Sequence, residues 1–142
     1  MTQKEICDHI HRHGLRVSKQ RVAIYQYMTN PFHPSAEMIY EALRDKVSSL
    51  SLATVYNCLH DFVKAGLAKE LRIENEMVRY DADISAHGHF KCKSCSRVFD
   101  IPVDVQKIRE CLSEKNREIE HISLVAYGIC EDCLANGSRG NA

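Results

Sequence analysis

Apolar residues recur every three or four positions in four segments of the first half of the chain, which predicts amphipathic helices. Serine and glycine mark the ends of these helices, because serine caps a helix N-terminus and glycine favours the left-handed conformation after a helix C-terminus. Gly14 ends the first helix, Ser18 caps the second, and Gly66 ends the fourth. The third helix is predicted from about residue 35 to residue 46, and the fourth begins near Ser51.

Two shorter, strand-like runs follow the fourth helix and predict a hairpin. Residues 67–73 and 77–80 carry β-favouring side chains, and the polar residues 74–76 separate them. Three helices, a fourth helix presented for contact and a hairpin occur in this order in winged helix-turn-helix domains. The sequence therefore predicts a winged-helix DNA-binding domain at residues 1–80.

Three strands and one helix are predicted in the second half of the chain. The strands lie at residues 89–92, 98–101 and 119–127, where β-favouring apolar residues cluster. The helix opens at Pro102, a residue suited to a first helical turn, and continues through Asn116. Together these elements predict a small α/β domain.

Short polar stretches set the domain boundaries. Residues 81–86 form a predicted hinge, residues 87–135 the second domain, which binds metal, and residues 136–142 a disordered tail. A sheet of this size cannot bury both faces within one chain, so we expect a homodimer. The predicted fold class is α+β, with an N-terminal winged helix-turn-helix followed by a small α/β dimerisation domain.

Composition places the chain among globular proteins outside the membrane. Its 142 residues are 44% hydrophobic and 27% charged, which is typical of a globular domain. No apolar run approaches the roughly 18 residues that span a bilayer, and the N-terminus lacks the apolar core of an export signal. With seven cysteines and no export signal, the reducing cytoplasm is the expected location.

Charge is unevenly distributed along the neutral chain. Residues 9–36 and 46–60 contain no aspartate or glutamate, and basic side chains there can contact phosphate. The fourth helix begins with short hydroxyl and amide side chains, which suit base edges in a major groove. We therefore predict a double-stranded DNA operator as partner, with bases contacted by Thr54, Tyr56 and Asn57 and phosphates by Arg16, Lys19 and Arg21. Core packing of Tyr56 and plain solvation of the basic residues are the alternatives.

Two Cys-x-x-Cys pairs lie far apart in the sequence and predict a closed, four-thiolate zinc site. The four predicted ligands are Cys92, Cys95, Cys130 and Cys133. Disulfide bonds or a redox dithiol are the alternatives, although disulfide frameworks are typical of small secreted chains. The three remaining cysteines are interpreted as small packed residues: Cys7, Cys58 and Cys111.

A second metal site, with harder nitrogen and oxygen ligands, is indicated next to the first Cys-x-x-Cys pair. In a strand, side chains alternate between faces, so His87 and His89 share one face and Cys92 lies on the other. Asp81, Asp83 and Asp100 lie nearby in the sequence and could complete a nitrogen and oxygen site. Spacing alone does not decide whether this second metal site exists, because histidines two residues apart are common by chance.

Over nearly its whole length the chain resembles the ferric uptake regulator (Fur) family. The matching segments are GLRVSKQR at 14–21, HPSA at 33–36, SLATVYN at 51–57, GL at 66–67, RYD at 79–81, HGHFKC at 87–92 and YGIC at 127–130. The resemblance implies a dimeric, metal-responsive DNA-binding repressor with an N-terminal winged helix and a C-terminal dimerisation domain. Among the branches of the family, the sequence is most similar to the peroxide-sensing, PerR-like branch.

That resemblance implies a regulatory Fe(II) or Mn(II) site with three histidine and two aspartate ligands. The matching residues are His33, Asp81, His87, His89 and Asp100. Five ligands on a six-coordinate ion leave one position open for hydrogen peroxide. We expect iron, but not manganese, to promote oxidation of His87 or His33 and so to release the repressor from DNA. Zinc at the closed site is expected to serve folding and dimer stability.

An iron-responsive repressor of the same architecture is the closest alternative. That branch typically has Glu where this chain has Asp81 and Asp100, a further His where Ala86 stands, and a His where Ile122 stands, one residue after His121. An enzyme is disfavoured, since the sequence has no Gly-rich phosphate loop, nucleophile motif or evident general base. A zinc-buffering or protein-interaction module would leave the start of the fourth helix unexplained. No small-molecule substrate is expected beyond metal and peroxide.

Overall fold

The chain divides into two compact units, Met1–Ile84 and Ser85–Ala142. The computed structural model describes residues 1–73, 77–83, 87–113, 117–119 and 122–137. The predicted hinge at residues 81–86 therefore lies partly outside the described residues, and most of the predicted tail does so too.

Four helices form the first unit, and each begins at a residue whose side chain accepts a backbone N–H. They are α1 (Gln3–Arg12), α2 (Lys19–Met28), α3 (Ala36–Leu43) and α4 (Leu52–Ala65). Thr2 caps α1, and serine at the predicted positions 18 and 51 caps α2 and α4. These hydroxyls satisfy N–H groups that have no partner within the helix. The third helix is capped by Ser35 and ends at Leu43, short of the predicted residue 46.

The core of the first unit lies between these helices. Gly66 ends α4 with a φ of 83°, the left-handed conformation expected of a glycine in this position. The inward face of α4 is fully buried at Val55, Leu59 and Phe62. This packing leaves the opposite face of α4, at its N-terminal end, open to solvent.

A two-stranded antiparallel sheet completes the first unit as a wing. Its strands are β1 (Lys69–Leu71) and β2 (Arg79–Asp81), both shorter than predicted. A bridge between Ser35 and Arg79 ties β2 to the loop before α3, and the Tyr80 N–H donates to the Pro34 carbonyl at 3.1 Å. The predicted turn at residues 74–76 lies outside the described residues. The winged helix-turn-helix prediction is confirmed.

In its described residues, the second unit contains a three-stranded sheet and two helices. Its elements are β3 (Gly88–Cys92), β4 (Val98–Ile101), α5 (Val105–Leu112), β5 (Val125–Gly128) and α6 (Glu131–Ala135). The strand order is β4-β3-β5, with β4 antiparallel and β5 parallel to β3. This mixture of helix and sheet confirms the predicted α+β class.

Two boundary predictions in this unit are wrong. Pro102 does not open α5, because the Asp104 carboxylate accepts the Lys107 N–H at 3.1 Å and caps the helix there. The last strand begins at Val125, where parallel pairing with β3 starts, and not at residue 119. Residues 114–116, 120 and 121, which the predictions included, lie outside the described part of the chain.

The second unit has a small core. Three buried cysteines form a cluster against which Phe90, Phe99 and Ile129 pack, and Val98 is also buried. No residue of α5 is buried: Ile108 is half-buried and Leu112 is exposed. None of the helices in the described ranges is long and apolar enough to cross a membrane.

Candidate metal centres and nucleic-acid surface

The four predicted zinc ligands converge in the second unit. Their sulfur atoms all lie within 4.8 Å of one another. Cys92 ends β3, Cys95 lies in the turn that follows, Cys130 precedes α6, and Cys133 lies within it. The register of β3 against β5, which pairs Cys92 with Gly128, brings the two distant pairs together.

The sulfur–sulfur separations fit tetrahedral zinc and exclude disulfides. Sγ of Cys92 lies 3.8 Å from that of Cys133, and Sγ of Cys95 lies 3.7 Å from that of Cys130. A tetrahedron with Zn–S bonds of about 2.3 Å has sulfur–sulfur edges of about 3.8 Å. A disulfide would require about 2.05 Å. The disulfide alternative is therefore rejected for these four residues.

Backbone N–H groups prepare one sulfur for metal binding. Burial acts to raise the pKa of the Cys92 thiol, but N–H groups of Cys95, Cys130 and Ser94 outweigh it and lower the pKa to about 6. The Ser94 side chain acts to lower the pKa of Cys133, yet burial and the other three thiols raise it to about 12. Four adjacent thiolates thus need a cation to coexist near neutral pH.

His33 and Asp81 form a buried pair within the first unit. Their side chains place His33 Nδ1 3.5 Å from Asp81 Oδ1, and the two residues are only 2% and 3% exposed. His33 lies in the loop between α2 and α3 with a φ of 51°, and Asp81 is the last residue of β2. The pair offers one nitrogen and one oxygen donor to a metal.

His87, His89 and Asp100 form a second group of donors, within the second unit. Asp100 Oδ1 lies 2.8 Å from His87 Nε2 and 3.4 Å from His89 Nε2. His89 and Asp100 are directly paired across β3 and β4, and the two imidazole rings lie 4.6 Å apart. Of the two histidines, His89 lies within β3 and His87 lies one residue before it, and both side chains reach Asp100. These nitrogen and oxygen donors suit Fe(II) or Mn(II) better than a softer ion.

Four of the six predicted DNA contacts line one concave surface of the first unit, about 510 Å³ in volume. They are Arg16, Arg21, Thr54 and Asn57. Lys19 lines a neighbouring concavity together with Lys4 and Lys46. A mixture of basic and short polar side chains over the start of α4 suits a groove bordered by phosphates.

Arg21, one of the residues predicted to contact phosphate, forms an ion pair with Asp61. Arg21 Nη2 lies 2.9 Å from Asp61 Oδ2, and Arg21 Nη1 donates to the Arg16 carbonyl at 2.7 Å. Asp61 lies 40 residues after Arg21 and just beyond the second acid-free stretch, so sequence reasoning missed this partner. Phosphate contact by Arg21 remains a prediction, and it would compete with this ion pair.

Tyr56 stands on the solvent side of α4. It is 42% exposed, which argues against core packing, and its hydroxyl donates to the Glu37 carboxylate. The hydrogen bond from Tyr56 to Glu37, with burial second, raises the pKa of Tyr56 to about 12. Glu37 was not anticipated, because it lies on α3 and sequence distance hides the contact.

The three remaining cysteines lie in different surroundings. Cys58 is buried, and burial raises the pKa of its thiol, while Cys7 is half-buried. Both fit the interpretation as packed residues. Cys111 is exposed on α5, so for this residue that interpretation is wrong.

The family model described as "Ferric uptake regulator family" matches residues 12–127. The chain belongs to this family. It is 34% identical over 133 residues to the peroxide operon regulator of Bacillus subtilis (strain 168), covering 92% of each protein. This agrees with the resemblance inferred from the sequence motifs.

Solved structures of the family agree with the fold. One solved structure concerns the structural basis for peroxide sensing and gene regulation by PerR from Streptococcus pyogenes. It is 35% identical to this chain, with a TM-score of 0.52 and 92% coverage of both chains. A ferric uptake regulator from Pseudomonas aeruginosa with manganese is 29% identical, with a TM-score of 0.64, covering 92% of this chain and 99% of that one.

Proposed function

We propose that this Fur-family regulator is a homodimeric, metal-dependent transcriptional repressor that senses hydrogen peroxide. The observation that carries the proposal is the pair of nitrogen and oxygen donor groups, His33 with Asp81 and His87 with His89 and Asp100. All five residues are the ligands that the resemblance to the peroxide-sensing branch implies. The relatives are regulators, and we propose a cytoplasmic repressor rather than an enzyme.

Zinc and a regulatory metal have separate roles in this proposal. The closed thiolate cluster would hold zinc and stabilise the second unit, because all four ligand positions belong to the protein. The nitrogen and oxygen donors would hold Fe(II) or Mn(II). These two cofactor classes, structural zinc and regulatory iron or manganese, are those that the ligand chemistry and the solved relatives support.

Regulation would follow from sharing one ion between the two donor groups. His33 and Asp81 belong to the DNA-binding unit, and the other three donors belong to the second unit. An ion held by both groups favours the arrangement of the units in which all five donors are available. Only a ligand that binds two states differently can shift their balance. A coupling of about 1–3 kcal/mol would change DNA affinity roughly 5–150-fold.

The peroxide response would depend on the identity of the metal. The five nitrogen and oxygen donors would hold the ion, and Fe(II) there would supply electrons for the reduction of hydrogen peroxide next to the histidines, whereas Mn(II) would not do so readily. Oxygen added to His33 or His87 would remove a donor from the site. The second unit would keep its zinc, because the thiolates do not belong to this group of donors.

The experiment that tests this proposal compares iron with manganese in the same protein. Zinc-loaded protein is given Fe(II) or Mn(II) without oxygen, and its binding to a selected duplex is measured before and after low peroxide. We expect only the iron form to lose DNA binding. Mass spectrometry of the peptides containing His33 and His87 should show one added oxygen in the iron form alone.

The manganese form is the matched control, since it shares every ligand. If both forms keep DNA binding and no histidine is oxidised, peroxide sensing is rejected. An iron-responsive repressor would then be the better proposal.

Replacing Tyr56 by alanine is expected to weaken operator binding more than binding to random duplex. The exposed ring stands at the start of α4, where a helix in the major groove contacts base edges. A good base contact is worth about 1–3 kcal/mol of discrimination. Fluorescence anisotropy at one fixed salt concentration measures both affinities.

Lys19→Ala serves as the control for the Tyr56 experiment. A phosphate contact carries no sequence information, so its loss should weaken binding to both duplexes equally and reduce the salt dependence. Equal losses for Tyr56→Ala would show that Tyr56 positions the protein and does not discriminate between bases.

A further inference from the structure

The Arg79 guanidinium holds the turn that carries His33. Its Nη1 donates to the Phe32 carbonyl at 3.2 Å and to the His33 carbonyl at 3.1 Å. Arg79 is only 6% exposed, so these two charge-assisted bonds are made away from bulk water. Hydrogen bonds from an ionised donor are stronger than neutral ones, and in a buried setting they fix the acceptors more firmly.

The turn needs such support because His33 has an unfavourable backbone conformation. Its φ of 51° lies in the left-handed region, where the Cβ of an L-residue crowds the backbone. Strain of this kind persists only where the surrounding structure determines it. Besides the two bonds from Arg79, the His33 N–H donates to the Asn30 carbonyl at 3.2 Å. The conformation of His33 is therefore held from both sides of the residue.

The same strand supplies both the support and the neighbouring donor. Arg79 begins β2, Asp81 ends it, and side chains two residues apart in a strand project from the same face. Asp81 Oδ1 lies 3.5 Å from His33 Nδ1. The Arg79–Ser35 bridge and the bond from the Tyr80 N–H to Pro34 keep β2 against the loop. Strand β2 thus fixes the spacing between His33 and Asp81.

We propose that Arg79 is a positioning residue for the regulatory metal, acting through the His33 backbone. The inference rests on the proposed function, because it takes His33 and Asp81 as metal ligands. With His33 held in place before metal binding, less ordering is required when the ion arrives. Since Arg79 also pairs with Leu71 of β1, the metal ligands are joined directly to the wing.

The test replaces Arg79 by methionine, which keeps most of the length of the side chain and removes the Nη1 that donates to both carbonyls. Mn(II) is titrated into zinc-loaded, full-length protein. Because supporting partners of metal ligands typically contribute 10–100-fold, we expect Mn(II) affinity to fall by about 10-fold or more. Arg79→Lys, which keeps one cationic donor, should restore part of the loss. Arg72→Met is the matched control, since Arg72 is an exposed arginine beside the same wing, and it should leave Mn(II) affinity unchanged.

A double-mutant cycle with His33→Ala separates positioning from general destabilisation. If Arg79 acts through His33, Arg79→Met should have little further effect once His33 has been removed. An equal additional loss in the His33→Ala background would overturn the proposal. Unchanged Mn(II) affinity in Arg79→Met, with a clear loss in His33→Ala, would overturn it and leave the proposed metal site standing. Unchanged affinity in His33→Ala would overturn both.

A measurement without metal provides an independent outcome. In the metal-free, zinc-loaded protein, hydrogen exchange of the His33 amide reports its bond to Asn30 within the turn, and exchange of the Tyr80 amide reports the bond that holds the loop to β2. We expect faster exchange at these two amides in Arg79→Met, while core amides of α4 keep their protection. Unchanged exchange at His33 and Tyr80 would show that Arg79 does not hold the turn, and the proposal would fail.

Discussion

Replacing Cys133 by serine is expected to remove zinc from the second unit and to unfold it. Cys133 is buried in the thiolate cluster, and that cluster supplies most of the core of the unit. A structural zinc site binds its ion with an apparent free energy of about 10–16 kcal/mol, which becomes folding free energy where the site is formed only on folding. Metal analysis and thermal unfolding followed by circular dichroism measure both consequences.

Cys111→Ser is the matched control for this experiment. Cys111 is an exposed cysteine of the same unit and lies outside the cluster. The Cys111→Ser protein should keep its zinc and the unfolding temperature of the unmodified protein. The helices of the first unit have their own core, so part of the helical signal should survive in Cys133→Ser. A Cys133→Ser protein with full zinc content and unchanged stability would contradict the assignment of this cluster.

Replacing His89 by alanine is expected to abolish metal-dependent strengthening of DNA binding. His89 lies opposite Asp100 in the sheet, with Nε2 3.4 Å from Asp100 Oδ1, so its loss removes a central donor of the proposed regulatory site. Loss of a residue that hydrogen-bonds to a metal ligand typically lowers metal affinity roughly 10–100-fold. Loss of a direct ligand should lower the Mn(II) affinity at least as much. Mn(II) titration, followed by anisotropy with and without Mn(II), tests both effects.

Two further variants control for the loss of a buried side chain. His89→Gln keeps much of the volume of His89 and should still lose Mn(II) affinity, whereas His11→Ala changes an exposed histidine and should not. Zinc content should be unchanged in all three proteins. Retention of Mn(II)-dependent DNA binding by His89→Ala would exclude His89 from the regulatory site.

Local signals in the sequence predicted the helix boundaries well. Serine at positions 18 and 51 and Gly66 act through bonds and dihedral angles within their own turn, so no distant information was needed. Pro102 shows the limit of such signals. Proline favours the first turn of a helix, but here the capping carboxylate of Asp104 determines where the helix begins.

Features that depend on distant contacts could not be predicted in the same way. The start of β5 at Val125 follows from its parallel register with β3. The contacts of Arg79 with residues 32 and 33 join positions more than 40 residues apart. The thiolate cluster was predictable because two Cys-x-x-Cys pairs are a specific pattern, whereas the proposed role of His33 as a metal ligand came only through the family resemblance.

Strand β3 separates the two kinds of donor by a single feature, the alternation of its side chains. His89 projects from one face, and Cys92, three residues later, projects from the other with Phe90. A substitution among the nitrogen and oxygen donors therefore leaves the thiolate cluster intact. In the proposed function, the ligands that set the response could therefore change one at a time while the zinc cluster that keeps the unit folded stays the same.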